Sequence, residues 1–187
     1  MSGLDQLNPR ADRSSAPNED RLRIVMADDD QNDHLLMSMA AEAAGLEADF
    51  VFHDDGGLLL YRLERMIGTA DLPDLIILDL RMPGINGHRT LEALQEHAVL
   101  SQIPVVVFST STRRADETKA YASGAHWFVT KPSTFDGMVE FASTLPRRAH
   151  RGAYELCDRT IDLTDADADD AAFIDEIGRY VDHDDHE

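Results

Sequence analysis

The chain has 187 residues, of which 43% are hydrophobic, and its formal net charge is −19 at pH 7. This negative charge argues against a nucleic-acid-binding surface, because phosphate backbones bind Lys and Arg. The single cysteine, Cys157, excludes an internal disulfide framework. The N-terminus lacks the apolar core of a signal peptide, and no apolar run approaches the ~18 residues that span a bilayer. We therefore expect a soluble cytoplasmic protein with no membrane association.

Five short apolar segments alternate with helical patterns along the chain. Strands are predicted at 24–27, 48–52, 75–78, 104–108 and 126–130. Helices are predicted after them: one capped by Asn32 or Asp33 and ending near Gly45, one over 58–67, one beyond Gly87, one over 113–123 and one over 133–145. The last helix has Ser133 or Thr134 as its cap and Pro146 as its breaker. This alternation predicts an α/β fold, a doubly wound five-stranded parallel sheet with helices on both faces.

Polar residues follow four of the predicted strands. Asp28 and Asp29 follow the first strand, Asp79 the third, Ser109 the fourth and Lys131 the fifth. The carboxyl ends of parallel strands share one edge of the sheet, where open α/β sheets bind their ligands. Clustered carboxylates repel one another unless a cation joins them, and an all-oxygen ligand set suits Mg²⁺. A lone Asp79 could simply cap a turn, but the whole set favours phosphoryl transfer to a carboxylate.

The chain resembles the receiver domains of two-component response regulators over residues 22–145, about two-thirds of its length. Five motifs match in order: Ala27-Asp28-Asp29, Leu78 to Pro83 with Gly87, Pro104 to Ser109, Gly124-Ala125 with Phe128, and Lys131-Pro132. The resemblance implies a flavodoxin-like (βα)5 fold. It also implies a signalling protein that accepts a phosphoryl group from a histidine kinase and loses it by autodephosphorylation, rather than a conventional enzyme.

The resemblance also implies a role for each matching residue. Asp79 would be the phosphoacceptor. Asp29 would bind Mg²⁺ directly, Asp28 mostly through water, and Arg81 through its backbone carbonyl.

Four further residues have implied roles in holding and sensing the phosphoryl group. Lys131 would hold the group, and its bond to Pro132 would be cis. Ser109 would be the switch hydroxyl in place of the commoner Thr. Phe128 would be the switch aromatic, acting through packing alone because it lacks a hydroxyl.

The stretch 129–136 is similar to single-domain regulators that accompany phytochrome-type histidine kinases, which suggests the kinase partner. A receiver-like scaffold that is never phosphorylated, or a phosphate sink with no downstream target, remains an alternative. A haloacid-dehalogenase-type phosphatase is disfavoured because its second acid would fall at Arg81. A P-loop NTPase is disfavoured because the chain has no Gly-x-x-x-x-Gly-Lys-Ser/Thr motif.

The predicted domain organisation has three parts. Residues 1–20 are expected to be a disordered arm, 21–147 the receiver domain, and 148–187 an acidic extension with a helix over 169–181. From Asp158 to Glu187 there are twelve acidic residues against Arg159 and Arg179. An extension this short and acidic does not suit a DNA-binding output domain, so we expect output through a protein contact. The downstream protein is unknown, and homodimerisation is left open.

Overall fold

The computed structural model describes residues 21–155, so the predicted arm and the predicted helix over 169–181 lie outside the described residues. Five strands and five helices alternate in this range. The strands are β1 (Leu22–Ala27), β2 (Ala48–His53), β3 (Leu75–Leu78), β4 (Val105–Ser109) and β5 (Trp127–Thr130). The helices are α1 (Gln31–Ala43), α2 (Gly56–Met66), α3 (Gly87–Glu96), α4 (Arg114–Ala122) and α5 (Phe135–Glu155). A short 3₁₀ helix, Leu100–Gln102, precedes β4.

All five strands belong to one parallel sheet with the order β2-β1-β3-β4-β5. The central strand β3 therefore lies between β1 and β4. This topology confirms the predicted doubly wound flavodoxin-like architecture. Within the described part of the chain, no helix is both long and apolar enough to cross a membrane.

The apolar residues of the strands divide between two clusters, one on each face of the sheet. Leu75 and Ile77 of β3 belong to the cluster beneath α1 and α5, whereas Ile76 and Leu78 belong to the cluster beneath α2 and α3. All four side chains are fully buried. Because successive side chains of a strand point to opposite faces, a strand covered on both faces needs an unbroken apolar run.

The first helix begins earlier than the sequence predicts. Asp30 caps α1, because one of its carboxylate oxygens accepts hydrogen bonds from the backbone and side-chain nitrogens of Asn32. The prediction of Asn32 or Asp33 as the cap is therefore wrong. With Asp30 as the cap, Asp33 lies within the first turn of the helix and its side chain is free to serve another purpose.

The last helix continues past its predicted end at Leu145. Pro146 lies inside α5, although it has no N–H to donate to the carbonyl four residues earlier. Leu145 and Ala149 are both buried, at 0% and 4% exposure, in the cluster that α5 shares with α1. Packing of this apolar face offsets the missing hydrogen bond. The predicted helix end is therefore wrong, and the predicted domain boundary at residue 147 falls inside the helix.

Gly87 sets how closely α3 approaches the end of β3. A Cβ atom at Gly87 would lie 2.2 Å from the backbone oxygen of Asp79 and 2.7 Å from Cα of Leu80. The backbone nitrogen of Gly87 also donates to the carbonyl oxygen of Leu80 at 3.3 Å. The absence of a side chain at Gly87 therefore allows α3 to begin directly beside the backbone that carries Asp79.

Replacing Pro146 tests the continuity of α5. Pro146→Ala restores the N–H of one helical turn, so we expect the free energy of unfolding to rise by about 1–2 kcal/mol. Urea denaturation measures the change. Pro83→Ala, at an exposed loop position, is the control and should leave stability within about 1 kcal/mol of the wild type. Equal effects of the two substitutions would contradict a continuous helix.

Candidate functional site

The register of the sheet brings two carboxylates side by side. Ala27 of β1 is paired with Leu78 of β3, and the backbone nitrogen of Asp79 donates to the carbonyl oxygen of Ala27 at 2.9 Å. Asp28 and Asp79 are thus adjacent at the ends of neighbouring strands, and both are buried, at 0% and 6% exposure. Asp29, the next residue along, is exposed.

Asp28, Asp29 and Asp79 form a group suited to a divalent cation. Each residue offers one carboxylate oxygen, and these oxygens all lie within 4.8 Å of one another. Hard cations such as Mg²⁺ take oxygen ligands and retain several waters, which the exposed side at Asp29 would admit. The residues present therefore fit the expected metal. Arg81 lies beside this group, because its backbone nitrogen donates to Oδ1 of Asp79 at 3.3 Å.

The ammonium group of Lys131 contacts three carboxylates, two of which belong to the group that could bind a cation. Its Nζ lies 2.6 Å from Oδ2 of Asp28, 2.6 Å from Oδ2 of Asp33 and 3.3 Å from Oδ2 of Asp79. The Lys131 side chain is only 9% exposed and crosses the ring of Phe108, with Nζ 5.9 Å from the ring centroid. Lys131 thus reaches from the end of β5 across the strand ends to β1 and α1.

The pKa values of Asp28 and Lys131 are shifted by burial and by the contact between the two side chains. Burial raises the pKa of the Asp28 carboxyl above its ordinary value, although the hydrogen bond from Lys131 acts in the opposite direction. Burial by itself would lower the pKa of Lys131, but the hydrogen bonds to Asp28 and Asp33 raise it above its ordinary value. Lys131 is therefore charged at neutral pH and remains the counter-ion of the buried carboxylates.

Ser109 and Phe128 lie where the sequence places them, on β4 and β5. Ser109 is fully buried and its Oγ accepts a hydrogen bond from the backbone nitrogen of Ser111 at 3.3 Å. Phe128 is half-buried against the cluster beneath α2 and α3. Its backbone nitrogen donates to the hydroxyl of Tyr121 on α4 at 3.2 Å. The backbone of Phe128 is thus bonded to a side chain of the preceding helix.

Arg81 makes a second contact at the mouth of the site. Its Nη2 donates to Oγ1 of Thr110 at 3.0 Å, and both residues are exposed. This bond links the loop after β3 to the loop after β4. It could not be predicted from the sequence, because the two residues lie 29 positions apart.

Two features of the site differ from the sequence-based expectations. The sequence predicts Asn32 or Asp33 as a helix cap, whereas in the structure Asp33 forms an ion pair with Lys131. A helix start at Asp30 would have been the only sequence signal, since it leaves Asp33 without a capping role. The implied cis bond between Lys131 and Pro132 is wrong for this structure, because no peptide bond of the described residues is cis. A trans X-Pro bond is the favoured isomer, and Lys131 reaches all three carboxylates with it.

The sheet topology and the polar groups at its carboxyl edge define a flavodoxin-like α/β protein with an acidic site closed by one lysine. The chain belongs to the response regulator receiver domain family, whose model matches residues 24–143. It is therefore a receiver domain of two-component signalling.

Individual relatives agree with this assignment. The chain is 31% identical over 121 residues, 64% of its length and 78% of the relative, to the probable methanogenesis regulatory protein FilR2 of Methanothrix harundinacea. It is similar in structure to the phosphorylated cyanobacterial phytochrome response regulator RcpA, with a TM-score of 0.60, 26% identity and coverage of 68% of this chain and 92% of that one. The response regulator RPA3017 in red light signalling of R. palustris gives a TM-score of 0.61, 26% identity and coverage of 66% and 90%.

The raised pKa of Asp28 predicts how the free energy of unfolding of the metal-free protein changes with pH. The folded state holds the Asp28 proton more tightly than the unfolded state, so this residue contributes stability at low pH that is lost as pH rises through the folded pKa. Asp28→Asn should therefore raise the free energy of unfolding at pH 7 in the presence of a chelator. Lys131 keeps two carboxylate partners, so no charge is left unpaired.

Urea denaturation between about pH 7 and pH 4 measures this effect. The difference in the free energy of unfolding between Asp28→Asn and the wild type should shrink as pH falls, because the wild-type carboxyl becomes protonated. A variant less stable than the wild type at pH 7 would contradict the predicted sign.

Proposed function

We propose that this receiver domain accepts a phosphoryl group from a histidine kinase on Asp79, with Mg²⁺ bound by Asp28, Asp29, Asp79 and the carbonyl of Arg81. The observation that carries the proposal is the position of Asp79, a buried carboxylate within 4.8 Å of two others and 3.3 Å from the ammonium of Lys131. A structural carboxylate would not need two acidic neighbours this close. A phosphoacceptor needs them to gather positive charge around the transferring group.

In this proposal, a carboxylate oxygen of Asp79 attacks phosphorus, the bond from phosphorus to the kinase histidine breaks, and an acyl phosphate forms. The bound cation would neutralise charge on the phosphoryl oxygens. The ammonium of Lys131 would donate a hydrogen bond to one of them, and its raised pKa keeps it charged for this purpose. The hydroxyl of Ser109, at the end of the neighbouring strand, would donate to another.

The proposed kinase partner is of the phytochrome type. The supporting observation is the likeness to RcpA and RPA3017, two regulators described as acting in phytochrome or red light signalling, each with 26% identity and more than 65% of this chain covered. The proposed output is a contact with a downstream protein, in keeping with the net charge of −19, which disfavours direct binding to nucleic acid.

Phosphorylation by a small donor tests the proposal without the kinase. With acetyl phosphate and Mg²⁺, the wild type should gain one phosphoryl group, detected as a single base-labile addition by intact-protein mass spectrometry. Asp79→Asn should gain none, because the amide is not nucleophilic enough to form the acyl phosphate. A chelator should abolish the addition to the wild type.

The controls separate the alternatives. Asp55→Asn is the matched acidic control: Asp55 caps α2, outside the acid group, and its replacement should leave labelling intact. A folded wild type that is never labelled would favour a scaffold. Labelling that persists in Asp79→Asn would contradict the assignment of the phosphoacceptor. A phosphate sink would be labelled but would bind every candidate partner equally well before and after phosphorylation.

The proposed switch runs from Ser109 to the surface formed by α4 and β5. We expect phosphorylation to change amide hydrogen exchange at Phe128, whose backbone nitrogen donates to Tyr121. Ser109→Ala should still be phosphorylated but should lose that change, because it removes the hydroxyl that senses the phosphoryl group. Ser123→Ala, at the end of α4, is the control. The proposal fails if fully phosphorylated Ser109→Ala shows the same exchange change as the wild type.

A further inference from the structure

Three carboxylates surround the ammonium group of Lys131, which donates hydrogen bonds to Asp33 and Asp79 and forms an ion pair with Asp28. An ammonium group carries three N–H bonds and no acceptor. Asp28, Asp33 and Asp79 each place one oxygen within 3.3 Å of Nζ, and the two shortest contacts, both 2.6 Å, are to Asp28 and Asp33. A phosphoryl oxygen that binds Lys131 therefore competes with the carboxylates that already contact its ammonium.

The positions of the three carboxylates decide which of them can be replaced. Asp28 is 1% exposed, so losing its partner would leave a buried charge uncompensated. Asp79 is the residue that carries the phosphoryl group. Asp33 is 19% exposed and lies in the first turn of α1, where water and the helix N-terminus can stabilise the freed carboxylate. Of the two carboxylates other than Asp79, Asp33 is therefore the one whose release costs less free energy.

The reach of Lys131 supports the same conclusion. Lys131 follows β5, and its ammonium must pass the ends of β4 and β3 to contact Asp33, 98 residues away in sequence. Its two shortest contacts draw the ammonium towards β1 and α1 rather than towards Asp79. A phosphoryl group on Asp79 would be held between Lys131 and Ser109 only if the ammonium moved back towards β3.

We infer that Asp33 is a positioning residue for Lys131. Its carboxylate holds one N–H of the ammonium in the unphosphorylated protein and exchanges that N–H for a phosphoryl oxygen when Asp79 is phosphorylated. The exchange breaks the ion pair between β5 and α1, so the first turn of α1 responds to phosphorylation. This inference rests on the proposed phosphorylation of Asp79, and it adds a residue for which the sequence predicted only a capping role.

Carboxyl NMR observes the exchange directly. In protein labelled with ¹³C at Asp side chains, the Asp33 carboxyl signal should move on phosphorylation towards the position of a solvated carboxylate. Asp54, an exposed residue just after β2, provides the reference signal and should not move. If the Asp33 signal is the same before and after phosphorylation, the ion pair persists and the inference is wrong.

Phosphorylation kinetics with acetyl phosphate at saturating Mg²⁺ give a second readout. Asp33→Asn leaves one N–H of Lys131 without a charged partner, so we expect phosphorylation about fivefold faster than in the wild type. Asp33→Glu keeps the charge and should restore the wild-type rate to within about twofold. Asp54→Asn makes the same change in net charge at the same edge of the sheet and should also remain near the wild-type rate.

The outcomes distinguish this inference from the proposed function. A wild type that takes up no phosphoryl group would overturn both. A wild type that is phosphorylated at Asp79, with Asp33→Asn and Asp54→Asn reacting at equal rates, would overturn the role of Asp33 alone. Equal melting temperatures of the Asp33 variants and the wild type would show that a changed rate does not come from partial unfolding.

Discussion

The site depends on one electrostatic constraint: a single ammonium group compensates several carboxylates at one edge of the sheet. Asp28 and Asp79 are both buried at neighbouring strand ends, and two like charges this close in a protein repel by several kcal/mol. Lys131 reduces that repulsion but does not remove it, because it is one positive charge among Asp28, Asp29, Asp33 and Asp79. The remaining negative charge is what makes the site receptive to a divalent cation.

The fold holds this unfavourable arrangement in place through its core. Each central strand is packed by helices on both faces, and its side chains enter two separate apolar clusters. The parallel register then fixes which residues end adjacent strands, so the carboxylates cannot move apart without disrupting the sheet. Gly87 adds a local constraint, because it lets α3 begin in contact with the backbone of Asp79. The free energy gained by burying the two apolar clusters thus offsets the repulsion among the carboxylates at the carboxyl ends of the strands.

The contacts around Asp79 also connect it to distant parts of the surface. Lys131 joins β5 to α1 through Asp33, Arg81 joins the loops after β3 and β4 through Thr110, and Tyr121 joins α4 to the backbone of Phe128. The first two contacts join residues 98 and 29 positions apart in sequence, and the third joins α4 to the strand that follows it. Lys131 and Arg81 both contact Asp79, so a change of charge at Asp79 would act directly on the first two of these links.

The sequence by itself determined the alternation of strands and helices and the residues at each strand end. These features are local: apolar runs specify buried strands, and Asp79 or Lys131 follows its strand whatever the rest of the chain does. Parallel packing then brings strand ends together, so Asp28, Asp79, Ser109 and Lys131 could be assigned to one edge. The family resemblance supplied their expected roles.

Only the tertiary structure decided the contacts between these elements. Asp33 was expected to act locally as a cap, but Asp30 occupies that position, and Asp33 instead contacts Lys131 from 98 residues away. Pro146 was expected to end a helix, but burial of Leu145 and Ala149 against the sheet carries α5 past it. Asp30 caps the helix through a local bond, but the ion pair of Asp33 and the burial of Leu145 and Ala149 both depend on residues remote in sequence. Such contacts depend on where side chains lie in space, which neither spacing nor composition specifies.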